Sequence, residues 1–189
     1  MSKSNPRLWI SFAGMAFACA FGGAGAQAAS KLPTGDPCTV VPLADVQKAF
    51  PGAKAGVRNR KLEQYGSTQC VYSDAKGQVI FGVEERYGTN TALEEAKGEA
   101  LAFLDPTMQP EKRNVRYETL TAIGLGNEAV AFVEVGDAKR GILGDGALLV
   151  MRRGQHTLSL HSPVLPKRDR AAALKVFEEL GRIAAKRLE

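Results

Sequence analysis

The sequence predicts an α+β domain: a mainly antiparallel sheet with helices packed against it and one disulfide. Two observations carry the prediction of architecture. Apolar residues recur at helical spacing near residues 43–50, 93–104 and 168–188, while the stretches between them read as short strands broken by glycine-bearing turns. The resulting order of helix, strands, helix, strands, helix suits an antiparallel sheet covered by helices. A third observation concerns the covalent frame, because only Cys38 and Cys70 remain of three cysteines once the amino-terminal segment is set aside.

That segment, MSKSNPRLWISFAGMAFACAFGGAGAQAAS, places Lys3 and Arg7 ahead of an apolar run and ends in small residues. This is the layout of a secretory signal, with an A-x-A site at Ala26-Gln27-Ala28 and cleavage expected before Ala29. An uncleaved membrane anchor competes with it, since the uncharged run approaches the length of a span. Lipidation at Cys19 is the weaker alternative, because Ala16-Phe17-Ala18 lacks the branched apolar residue expected ahead of a lipid-modified cysteine. Removing residues 1–28 from the 189 leaves 161, enough for one domain with a substantial core, here 29–189.

Losing Lys3 and Arg7 also lowers the formal net charge from +5 to +3. Basic clusters such as Arg58-Asn59-Arg60-Lys61 and Arg152-Arg153 are interleaved with acids, so solvated loops are expected and nucleic acid is not. In an oxidising compartment Cys38 and Cys70 are expected to pair. On a chain-entropy estimate such a bond stabilises the fold by roughly 3.5–4 kcal/mol. A metal site is the rival, but neither cysteine belongs to a C-x-x-C or has a histidine near it in sequence.

After Cys38, VPLADVQKAFPG gives a short helix from Leu43 to Phe50, closed by Pro-Gly. Thr68 to Ser73 and Gln78 to Glu85 read as strands joined by the loop Asp74-Ala75-Lys76-Gly77. Thr91-Ala92-Leu93-Glu94 has the form of a capping box and opens a helix to about Leu104, with Leu93, Ala96, Ala100, Leu101 and Leu104 expected inside. Strands are then expected at Val115–Leu120, Ala129–Val135, Ala147–Arg153 and His156–Ser162, the last two joined by Gly154-Gln155. A final helix spans about Arg168 to Leu188.

Between the second helix and the later strands, Gly124-Leu125-Gly126-Asn127-Glu128-Ala129 spells a dinucleotide-loop glycine pattern. Such a loop works by aiming the free N–H groups of a succeeding helix at a pyrophosphate. Here the glycines lead into VAFVEV, a β-branched run that favours a strand. A structural turn is therefore expected, with Gly124 or Gly126 at positive φ and Asn127 able to cap it, and no cofactor.

Taken together, D-P-C-T-V-V-P-L-A-D-V-Q-K-A-F-P-G, the second cysteine in Q-C-V-Y and G-L-G-N-E-A-V before a strand resemble a broad, poorly characterised group of small bacterial secreted proteins and lipoproteins. Some of that group are related to extracellular sensor-like domains. The resemblance covers about Asp36 to Leu188. It implies a Cys38–Cys70 disulfide, an α+β fold and a structural role for Gly124, Gly126 and Ala129, and it brings no catalytic residues.

Catalytic patterns are sparse. His156 and His161 are five apart on one strand and should face opposite ways, so they cannot share a metal there. His161-Ser162, with Asp169 nearby in sequence, keeps a small hydrolase as the alternative, although no G-x-S-x-G elbow is present. Glu84 and Glu85 should diverge, one toward solvent and one near the sheet edge. The loop 136–146 offers Lys139, Arg140, Ile142 and Leu143 as a candidate ligand or partner contact. The expectation is an exported, non-enzymatic module binding a small ligand or an envelope protein, with an envelope structural protein as a further alternative.

Overall fold

Alternation along the strands builds a sheet with two different faces. The computed structural model describes residues 32–103, 117–119, 125–135 and 145–188. The amino-terminal segment with Cys19, the contact residues Lys139, Arg140, Ile142 and Leu143, and also Gly124 and Leu104 lie outside the described residues, as do the side chains of Ala100 and Leu101. The described strands are β1 (Val57–Arg58), β2 (Ser67–Ser73), β3 (Val79–Tyr87), β4 (Tyr117–Thr119), β5 (Glu128–Glu134), β6 (Gly146–Arg153) and β7 (His156–Ser162). They form one sheet in the order β1-β2-β3-β7-β6-β5-β4, and every pairing of neighbours is antiparallel.

The described α-helices are α1 (Leu43–Ala49), α2 (Ala92–Phe103) and α3 (Arg170–Ala185). Local chemistry sets the starts of the two longer ones. Thr91 and Glu94 make the capping box in full: Glu94 N donates to Thr91 Oγ1 at 3.2 Å and Thr91 N to Glu94 Oε2 at 2.7 Å. Asp169 accepts from Ala172 N at 2.8 Å and so caps α3.

The first face carries the main core. Phe81 lies at its centre, with ring centroids 5.5 Å from Phe50 at the α1 end, 5.7 Å from Tyr72 and 6.3 Å from Phe177 of α3. Such offset and edge-on pairs add to simple area burial. A register shift between Tyr72 and Ser73 is the irregularity that lets both Ile80 and Phe81, adjacent in sequence, join this core. Along α3 the buried stripe is Ala173, Phe177, Leu180, Gly181, Ala184 and Ala185, lying on β5, β6 and β7.

Cys38 and Cys70 are disulfide-bonded, with Cα atoms 5.0 Å apart. The bond ties the 3-10 turn Pro37–Thr39 to β2, and Tyr72 reinforces the joint by donating to Val41 O at 2.7 Å.

The second face is smaller. Ala92 and Ala96 of α2 pack on Val130, Phe132, Leu148 and Val150 of β5 and β6. Leu93, expected inside, is exposed instead. The helix is rotated so that two alanines meet the sheet, and among its described side chains Glu95, not Leu93, is the larger one buried. The Arg58–Lys61 cluster, expected in a loop, belongs to β1 and to a 3-10 helix, Arg60–Tyr65, capped by Asn59.

Replacing Cys38 by Ser is expected to lower stability by roughly 3.5–4 kcal/mol and to leave the buried Cys70 thiol open to alkylation on unfolding without reductant. Thermal melts and thiol labelling of the unreduced protein check both outcomes; two free thiols in the native protein would contradict them.

Candidate functional site

The second face changes character across the sheet, and its polar half is the candidate site. Three cross-strand rows show the gradient. The first runs Ser67, Arg86, Thr157, Arg152, Glu128; the second Gln69, Glu84, Ser159, Val150, Val130; the third Val71, Gly82, His161, Leu148, Phe132. On β5 and β6 the second and third rows are apolar, under α2. On β2, β3 and β7 nearly every position is polar, yet Ser67, Gln69, Thr157, Ser159 and His161 are all buried.

Burying polar groups is unfavourable unless they bond to one another, and here a chain of bonds does that. Arg86 bridges two carboxylates, with Nη2 3.1 Å from Glu84 Oε1 and Nη1 2.9 Å from Glu95 Oε2. Glu84 also accepts from Ser67 Oγ at 2.5 Å and Gln69 Nε2 at 3.2 Å. Gln69 Oε1 accepts from Asn59 at 2.8 Å, and Asn90 donates to Glu95 at 3.0 Å. Further along the first row, Arg152 reaches Glu128 at 3.2 Å, and Glu128 Oε2 accepts from Ala92 N at 2.9 Å, at the start of α2. The network meets solvent at Arg86, whose side chain is 27% exposed, and at Glu128, 40% exposed.

His161 sits at the inner margin of this half, 3% exposed. Its ring occupies the space over Gly82: a Cβ on that glycine would lie 2.1 Å from Nε2. Burial, and secondarily the Arg86 charge, lower its pKa to about 4. The imidazole is therefore neutral at ordinary pH.

The other face holds a second polar group at the same end of the sheet. Glu85, 1% exposed, lies 3.3 Å from Arg187 Nε and 3.5 Å from His156 Nε2, and Tyr87 stacks on His156 at 4.9 Å. Arg187 Nη2 also donates to Thr34 O at 2.5 Å, joining both ends of the described chain to the sheet. Among the described residues, Glu85 Oε2 and the hydroxyl of its cross-strand neighbour Thr68 are buried without a hydrogen-bond partner. Glu84 and Glu85 do diverge, but neither is at a sheet edge or free in solvent, because β3 lies between β2 and β7.

The fold separates the residues singled out in the sequence. His161 and Ser162 point to opposite faces. The Ser162 hydroxyl is held by backbone, 2.5 Å from Ile80 O and also against Val164 O. Asp169 is engaged as the α3 cap. These three therefore form no acid–base chain. His156 and His161 also lie on opposite faces. Gly126 has φ +88°, and a Cβ there would lie 2.6 Å from Arg152 O, which accepts from Asn127 N at 2.7 Å. The glycine thus lets the chain close against β6, and Ala129 is buried in the main core.

Among the described residues no group of three or more His, Cys, Asp or Glu could hold a metal ion, and no helix is long and apolar enough to cross a membrane. The chain matches no protein-family model and no curated protein sequence.

The depressed His161 pKa sets a pH window. Between about pH 6.5 and pH 4 the unfolded chain takes up a proton that the folded one refuses, so stability present above that window falls as pH drops through it. Urea unfolding at pH 7 and pH 4.5 should show wild type losing roughly 2–3 kcal/mol more than His161→Gln; equal losses would contradict the assignment.

Proposed function

We propose that this protein is an exported, non-enzymatic binding module of the bacterial cell envelope, and that the polar half of the second sheet face recognises a small polar ligand. The observation that carries this reading is the Glu84–Arg86–Glu95 network, on a sheet face whose other half is apolar under α2. An apolar interior would give comparable or greater stability, so a buried ionic network favours a role beyond folding. Arg86 offers a planar set of donors where the network reaches solvent, flanked by carboxylate acceptors. That combination suits a hydrogen-bonding ligand with both donors and acceptors better than a simple anion. The amino-terminal signal pattern and the Cys38–Cys70 bond support export. The separation of His161 from Ser162 weighs against the hydrolase alternative.

Native mass spectrometry of protein purified gently from its host's envelope fraction tests this reading. The expected result is a mass beginning at Ala29, two hydrogens below the dithiol, with an added mass that is lost on denaturation and absent from Arg86→Leu. Turnover of a hydrolase substrate that disappears in His161→Ala would overturn it.

A further inference from the structure

We infer that the β1 edge of the sheet, with the 3-10 helix Arg60–Tyr65 and the β2–β3 turn, is a docking surface for an anionic lipid bilayer. The inference rests on the export reading but not on the polar face being a ligand site. Residues 45–79 contain six lysines and arginines against three acids, an excess of three. The chain from residue 29 carries a net +3 in all, so the remainder is charge-neutral and the whole imbalance is in this segment.

The charges are also placed to act outward. Lys48 pairs with Asp45 and Arg58 with Glu63, while Asp74 is occupied by the backbone N–H groups of Lys76 and Gln78. Lys54, Arg60, Lys61 and Lys76 are exposed and have no ion pair among the described residues. Lys54 Nζ rests 3.3 Å from Ala75 O at the turn end, and Arg60 and Lys61 lie at the opposite end of the strip. Between and beside them are exposed apolar side chains: Val57 at 65% in β1, Tyr65 at 75%, and Val79.

Cations interspersed with shallow apolar groups and an outward tyrosine match the interface of an anionic membrane, where the rings sit at headgroup depth and the charges meet lipid phosphates. A second copy is disfavoured, because edge-to-edge pairing would bring like charges together. Cations beside an edge strand also discourage aggregation, but that role does not require exposed Val57 and Tyr65. The chain enters the sheet from the same end as the 3-10 helix. Thr34 is bonded to Arg187, which reaches Glu85, the cross-strand partner of Thr68.

Co-sedimentation with phosphatidylcholine vesicles, with and without phosphatidylglycerol, tests the inference at low and high salt. Binding is expected only with phosphatidylglycerol and should be abolished by high salt. The Arg60→Glu/Lys61→Glu variant should bind at least about 25-fold more weakly, at roughly fivefold per cation, and Tyr65→Ser should weaken binding with its melting temperature unchanged. The Lys97→Glu/Lys175→Glu variant makes the same change in net charge elsewhere on the surface and should bind nearly as wild type.

No binding to the anionic vesicles, or equal loss in both charge variants, would overturn the inference. So would equal binding to soluble polyglutamate that Tyr65→Ser leaves intact, a result pointing to an acidic protein. The amino-terminal mass is read independently, so failure of export and failure of docking are distinguishable.

Discussion

The antiparallel pairing of β3 with β7 is the contact on which the rest of the structure depends. β1, β2 and β3 form a meander from the first half of the chain, and β4 to β7 form another from the second half. Only this seam makes one sheet of them. Everything of consequence crosses it: Phe81 on Phe177 on one face, and Gly82 beneath His161 and Glu84 opposite Ser159 on the other. The backbone ladder fixes which residues can meet, because a slip of one residue would exchange the two faces. The polar rows and the aromatic core are thus consequences of one register.

The two faces solve the same problem of burial differently. On the first, apolar side chains from α1, α3 and five strands interlock, a non-directional attraction roughly proportional to area. On the second, the half beyond the cover of β5 and β6 by α2 depends on directional bonds, each of small net benefit and each unfavourable to leave unmade. Such a network rigidifies its members only while every partner is in place. Glu95 shows how the halves are joined. It belongs to the helix that packs Ala92 and Ala96 on the apolar side, yet it reaches Arg86 on the polar side. Glu128 makes the reverse link, from the sheet back to the first backbone N–H of that helix.

Much of the fold is legible in the sequence because it rests on local signals. The capping box at Thr91, the turns at Asp74–Gly77 and Gly154–Gln155, and the cysteine pair each declare themselves within a few residues or by elimination. The glycine motif is readable for the same reason, since β-branched residues and not a helix come after it. The candidate site is present in the sequence in a form that cannot be distinguished from an ordinary surface. Ser67/Gln69, Glu84/Arg86 and Thr157/Ser159/His161 are alternate polar residues on three strands, which is also the pattern of a solvated face. Only the strand order places the three runs side by side. The partners Glu95 and Arg187 come from helical segments at 11 and 102 residues' remove from Glu84 and Glu85 respectively. Periodicity misplaces Leu93 because the capping box fixes where α2 starts but not how it is rotated.

Arg187, 153 residues after Thr34 in the chain, holds Thr34 and Glu85 together. This arrangement has a temporal consequence. In any chain that emerges amino end first, Cys38 and Cys70 are both available long before β7 is. The covalent joint and the first meander can therefore form early, whereas the seam must wait for β7 and the clamp on Thr34 for Arg187. Until then β3 has one edge unpaired, and the first half of the molecule is a closed loop without its partner. The order of bonding thus follows the order of the elements along the chain.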